Sequence, residues 1–199
     1  DLGWRMEQFA DGNKGFSFTH DGPLHMTFGQ PDAYAFTAED IINDWEEHVI
    51  ADVLFGYAQE RFARRIARAI VEQRQYSRIT STKQLVEVVE GALPAVARRR
   101  QKIHPATKTF QALRIAVNDE LGVLESFIKS AFTALKPDGK LAIISFHSIE
   151  DRVVKHAFRE LKDAGMATLI PKKPIVPSEE ELKENPRARS AKLRILTKT

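Results

Sequence analysis

No cysteine occurs in the 199 residues, which excludes disulfides and thiolate metal sites and fits a reducing compartment. Nor is there an apolar run long enough to span a bilayer, or a basic-then-apolar leader, so no membrane association is expected and the expected location is the cytoplasm. The six histidines show no metal-ligand spacing, and no metal site is expected. A glycine-rich nucleotide fingerprint is also missing: Gly12 and Gly15 flank no strand-to-helix turn. The first residue is Asp1, opening Asp1-Leu2-Gly3, so either the chain was processed or its front part is absent. A chain of this size suits one compact domain, or a domain with a large insertion.

Net charge is only +3, but each sign is absent from long stretches. Gln30 to Glu60 has acids and neither Lys nor Arg. Gly91 to Asn118 has no acid, yet carries Arg98, Arg99, Arg100, Lys102, Lys108 and Arg114. The tail from Asn185 is equally acid-free and holds Arg187, Arg189, Lys192, Arg194 and Lys198. Such blocks create local positive potential that favours a polyanion as partner; the alternative is an ordinary solvated face.

What is present reads as a helical block followed by α/β units. The stretch to about Ala35, rich in Gly, Phe and turn residues, predicts an ordered loop. Thr37 is an expected N-cap with Asp40 three residues on, and helical patterning continues with breaks to about Gln75. Within it Phe62, Ile66 and Ile70 share one face, while Arg61, Arg65 and Arg68 form a stripe on another. A short helix is predicted from about Ser81 to Leu93, stopped by Pro94. The longest helical signal runs through Phe110, Leu113, Val117, Leu121, Leu124, Ile128, Phe132 and Leu135, and ends at Lys136-Pro137-Asp138-Gly139. Leu141 to Phe146 is an apolar run without alternation, as expected of a strand buried on both faces of a parallel sheet. A helix from about Ile149 to Ala164 follows. After it come a strand from Ala167 to Ile170, a short acidic helix near Ser178 to Glu184, and a last strand near Lys192 to Thr197. This order predicts a helical insertion between strands of one doubly wound sheet, with Asp1-Leu2-Gly3 ending the strand before it.

Several segments resemble one family. They are Gly15-Phe16-Ser17-Phe18 with Asp21-Gly22-Pro23-Leu24; Glu60-Arg61-Phe62-Ala63-Arg64-Arg65-Ile66-Ala67-Arg68-Ala69-Ile70; and His104 to Ile115 running into Asn118-Asp119-Glu120-Leu121. Ser145-Phe146-His147-Ser148-Ile149-Glu150-Asp151-Arg152 and Asn185 to Arg194 complete the set. In order and spacing they resemble the MraW-like (RsmH) ribosomal RNA small-subunit methyltransferase H family along essentially the whole chain. Two segments depart from its usual pattern: Trp4-Arg5-Met6-Glu7 stands in place of Val-Ser-Ser-Pro. His25-Met26-Thr27-Phe28-Gly29 follows Gly22-Pro23-Leu24 where Asp-Met-Arg-Met-Asp is usual.

The resemblance implies a partial class I (Rossmann-like) methyltransferase sheet with a mostly helical inserted substrate-recognition domain. On that division residues 1–8 end a strand and start a loop, 9–104 are the insertion, and 105–199 are the carboxyl-terminal half of the α/β domain. It implies S-adenosyl-L-methionine as methyl donor and transfer to the N4 amino group of a cytidine in small-subunit (16S) ribosomal RNA, free or in the assembling subunit. The alternative is a non-catalytic RNA-binding module related to that enzyme. Asp1 and Gln8 match the family's cofactor-contacting residues, and the glycine-rich loop would lie upstream. Ser145 and His147 follow a buried strand at the sheet edge and are the catalytic candidates, His147 as hydrogen-bonder or proton relay; capping the next helix is the competing role for both, with holding Asp151 a further alternative for His147. Arg61, Arg65, Arg68, Arg98, Arg99 and Arg100 are expected to hold phosphates. Phe16 and Phe18 either stack on the splayed base or pack in the core.

Overall fold

The structure, a computed structural model, describes residues 14–100 and 103–199. Asp1, Gln8 and the expected strand end at Asp1-Leu2-Gly3 lie outside the described residues, as does the Trp4–Glu7 segment. The described chain forms two compact units, residues 14–119 and Glu120–Thr199.

The first unit is helical. Its helices are α1 (Ala38–Asp44), α2 (Glu47–Ala58), α3 (Ala63–Arg74), α4 (Thr82–Ala92), α5 (Ala95–Arg100) and α6 (Thr107–Asn118). Their starts follow local chemistry. The Asp40 N–H donates to the Thr37 hydroxyl while the Asp40 carboxylate accepts from the Thr37 N–H at 2.7 Å, and Ser81 and Gln84 make the same reciprocal cap on α4. Ile41, Ile50, Leu54, Ile66, Ile70, Leu85 and Leu113 form the dry interior.

The loop before α1 is held by specific bonds. Gly15 has φ +75°, and a Cβ there would stand 1.9 Å from the Pro23 carbonyl oxygen, so only glycine fits. The Met26 N–H donates to Lys14 O at 2.7 Å. Asn118, from the far end of α6, donates to Met26 O at 2.7 Å and accepts from the Phe28 N–H at 2.9 Å. The departing segment His25–Gly29 is thus held through backbone groups, with the Met26 and Thr27 side chains buried beside them.

The long helix expected from Phe110 to Leu135 is two helices. Asp119 adopts φ +45°, a left-handed conformation that ends α6, and α7 (Glu120–Ala134) starts at the next residue. Phe110, Leu113 and Val117 are buried in the helical unit, where α6 packs chiefly on α2. Leu124, Ile128 and Phe132 are buried in the second unit. The two compact units meet between Asp119 and Glu120.

The second unit is α/β: α7, β1 (Lys140–Ser145), α8 (Ser148–Asp163), β2 (Ala167–Thr168), α9 (Glu179–Glu184) and β3 (Lys192–Lys198). The sheet order is β1-β3-β2, and β3 is antiparallel to both neighbours, with Lys140 opposite Thr197 and Ser145 opposite Lys192. The sheet is not the parallel one expected around Leu141–Phe146. Ile143 and Ser145 are buried while Lys140 and Ala142 are exposed, so β1 alternates by face despite its apolar run. An apolar run reports burial and is silent on strand direction. β1 and β2 nevertheless share a direction, each being antiparallel to β3. The strand expected from Ala167 to Ile170 pairs only at its first two residues; the chain then leaves β3 and returns where Ile175 bridges Leu193. Leu124, Ile128 and Phe132 of α7 pack with Ile143, Val154, Phe158, Ala167 and Leu196 to form the core.

Candidate functional site

The carboxyl end of β1 turns directly into α8, and hydrogen bonds between side chains and backbone hold that turn. Ser145 is 2% exposed, its hydroxyl 3.5 Å from Lys192 O. His147 is the N-cap of α8: its Nδ1 accepts from the Glu150 N–H at 3.2 Å. Glu150 answers with its Oε2, which accepts from the N–H groups of Phe146 at 3.0 Å and His147 at 3.3 Å. An imidazole nitrogen that accepts a hydrogen bond leaves the proton on the other nitrogen. Nε2 therefore carries it, and this buried atom faces the Glu150 Oε1 at 3.3 Å without a well-directed hydrogen bond. Glu120, His147 and Glu150 lie close enough to share a cation. In the tautomer set by the cap, however, Nε2 carries the ring hydrogen and has no lone pair for a metal. A proton-relay role for His147 requires the ring to leave this cap.

Asp151 is the other buried acid of the turn. Burial pushes its carboxyl up, but hydrogen bonds from Arg194 and Lys192 outweigh that and hold it below the usual carboxylate range. The sequence signal for this network is weak, since its members lie more than forty residues apart along the chain.

In the helical unit the arginine stripe is divided between two grooves. Arg65 and Arg68 line one of about 900 Å³ between α3 and α4, together with Glu72, Tyr76, Arg78 and Glu87. Tyr76 is 86% exposed, a stacking surface that the sequence reading missed because a lone tyrosine after a helix has no pattern. Arg61 lines a second groove of about 440 Å³ with Phe62, Val96, Ile103, His104 and Lys108. Its guanidinium also lies 5.1 Å from the Phe62 ring centroid. Arg98 and Arg99 are exposed on the same short helix as Val96, and Arg100 ends it. Val96 and Ile103 are exposed at 63% and 46%, so this groove joins a basic rim to apolar walls.

Phe16 is 5% exposed and stacks on Phe28 at 5.6 Å. Phe18 is half-buried, stacked on His104 at 4.4 Å and edge-on to Phe110 at 5.3 Å. His104 accepts from the Ala106 N–H and lies 3.5 Å from Glu90. Among the described residues no helix is long and apolar enough to cross a membrane.

Comparison with known proteins bears on what these surfaces serve. A family model described as the MraW methylase family matches residues 1–199. Ribosomal RNA small subunit methyltransferase H of Synechocystis sp. is 52% identical over 194 residues, covering 98% of this chain and 61% of its own length. The protein of the same name from Neorickettsia sennetsu is 46% identical over 198 residues, covering 100% and 65%. That from Jannaschia sp. is 47% identical over 214 residues, covering 100% and 64%. The chain thus spans a little under two thirds of the length of these curated relatives.

Proposed function

That the chain belongs to the MraW methylase family is the premise from which we propose that it is part of an S-adenosylmethionine-dependent enzyme methylating the N4 amino group of a cytidine in small-subunit ribosomal RNA. The observation that carries this reading is the family match across residues 1–199, with relatives named for methylation of that RNA.

The geometry is consistent with it. β1 and β2 run in one direction with α8 between them in sequence and β3 inserted antiparallel, a pattern that suits the far half of a class I methyltransferase sheet. Open α/β sheets bind ligands at the carboxyl ends of co-directional strands, which is where the Ser145–Glu150 turn stands. Asp1 and Gln8 would hold the donor, as the resemblance implies. The bound donor supplies a methyl group on a sulfonium, open to in-line attack.

Cytosine N4 is a weak nucleophile because its lone pair is delocalised into the ring. The work left to this chain is to hold the amine in line and let a proton depart; positioning of this kind supplies on the order of 7–11 kcal/mol of such a barrier. His147, both nitrogens turned toward Glu150, contributes as a positioning residue that sets the turn and with it Ser145. Arg65 and Arg68, and across the second groove Arg61, Arg98 and Arg99, hold phosphates and fix the register of the RNA without reading sequence. Phe18 and Tyr76 offer stacking faces to splayed bases.

The test is methyl transfer from labelled S-adenosylmethionine to small-subunit RNA, by this chain and by a form extended upstream to the length of its relatives. The extended form is expected to yield N4-methylcytidine on nucleoside mass spectrometry. RNA binding with no donor binding in either form would replace this reading with the non-catalytic RNA-binding module.

A further inference from the structure

A third recess lies in the α/β unit, remote in sequence from the arginine stripe. It measures about 80 Å³ and is lined by Lys155 and Arg159 of α8, Lys172 and Lys173 of the segment after β2, and Arg194 of β3. No carboxylate lines it. Arg194 is neutralised by Asp151 at 2.7 Å. The other four are exposed, and among the described residues none has an acid within ion-pair distance; the nearby Asp163 is engaged by Lys162 at 3.7 Å. Four cations from two elements with no facing carboxylate give the recess a positive potential that favours an anion.

The structure assigns this recess to the sugar-phosphate backbone of RNA, a second contact surface on the α/β unit. The assignment rests on the proposed RNA substrate and adds a place where that substrate is held. The recess is far smaller than the 300–1,000 Å³ typical of small-molecule pockets. Its one aromatic wall, Phe158, is 1% exposed, so nothing is offered for base stacking. What remains is charge in a concavity, which suits a projecting phosphate and reads no sequence. A membrane surface is flat and would meet protruding side chains rather than a recess. The cations also have a built support: Lys172 and Lys173 sit on the bulge between Thr168 and Ile175, which β3 pins at both ends.

The test uses the whole chain, a fluorescent single-stranded RNA, and affinity measured across a salt series. Lys172→Glu/Lys173→Glu is expected to weaken binding at least tenfold and to reduce the slope of log affinity against log salt by about 0.7 per lost contact. Lys172→Arg/Lys173→Arg is expected to restore both. Unchanged affinity and slope in the glutamate variant, while Arg65→Ala/Arg68→Ala does weaken binding, overturns this inference and leaves the RNA reading standing. Absence of salt-dependent RNA binding by the unaltered chain overturns both. Binding to phosphatidylserine vesicles that the glutamate variant abolishes, with RNA affinity untouched, assigns the recess to a membrane instead.

Discussion

Arg194 grips Asp151 with two hydrogen bonds, Nε to Oδ1 at 2.7 Å and Nη2 to Oδ2 at 3.2 Å, fastening the middle of β3 to the first turn of α8. Both side chains are largely buried, at 15% and 11% exposure. Lys192 adds a third bond at 3.1 Å. This places the catalytic-candidate turn and the last strand in one electrostatic unit.

Removing the acid leaves a buried guanidinium without its counter-charge. Asp151→Leu is expected to cost about 3 kcal/mol, the scale for breaking a buried ion pair from one side. Hydrogen exchange at the Ile143 and Leu196 amides checks it, and unchanged protection would show the pair to be dispensable. Because the Asp151 carboxyl is held below its unfolded value of about 3.9, its stabilisation is fully present above that pH. It is lost as pH falls through the lower, folded value. The same amides should therefore lose protection on acidification in the native chain and show a weaker acid dependence in Asp151→Leu.

His147→Ala removes the α8 cap and is expected to cost about 1 kcal/mol, read as faster exchange of the first-turn amides of α8. His147→Asn returns an acceptor near the Nδ1 position and should recover most of that loss. Methyl transfer by the upstream-extended form should follow the same order, Asn above Ala. Transfer abolished equally in both, with α8 restored in Asn, would mean the ring itself takes part in chemistry.

Gly15→Ala forces a side chain into a left-handed residue and onto a carbonyl oxygen. The conformational penalty alone is about 1–2 kcal/mol, and the clash with Pro23 adds to it. The urea midpoint of the helical unit, followed by the fluorescence of Trp45, should fall. An unshifted midpoint would show the loop to be uncoupled from the helices it abuts.

Arg65→Ala/Arg68→Ala and Arg61→Ala act in separate grooves. Their losses of RNA affinity are expected to add, since the two grooves share no lining residue, and each lost phosphate contact lowers the salt slope by about 0.7. A sub-additive triple variant would mean one continuous binding track in place of two.

Much of the helical framework was legible from local chemistry. The Thr37–Asp40 cap, the stop at Pro94, the turn at Lys136–Gly139 and the spans of α8 and α9 depend on neighbours within a turn, and they stand where patterning places them. The break at Asp119 was not legible, because the three-and-four spacing of apolar residues runs through it unchanged. Only the assignment of α6 and α7 to different cores makes one residue turn left-handed. The candidate turn was legible as a place, through Ser145 and His147, and the Glu150 half of its cap is local, but the partners Lys192 and Arg194 gain meaning only once β3 lies beside β1.

The sequence by itself determined the family, the α/β character of the second unit, the helical first unit and the acid-free basic blocks, because motif order, periodicity and charge are properties of the chain read in line. Tertiary structure alone decided the antiparallel pairing of β1 with β3, the splitting of the arginine stripe into two grooves and the gathering of Lys155, Arg159, Lys172 and Lys173 around one recess. Those depend on which backbone edges meet and which faces turn toward each other, and such long-range choices are settled by packing and hydrogen-bond pairing rather than by any local run of residues.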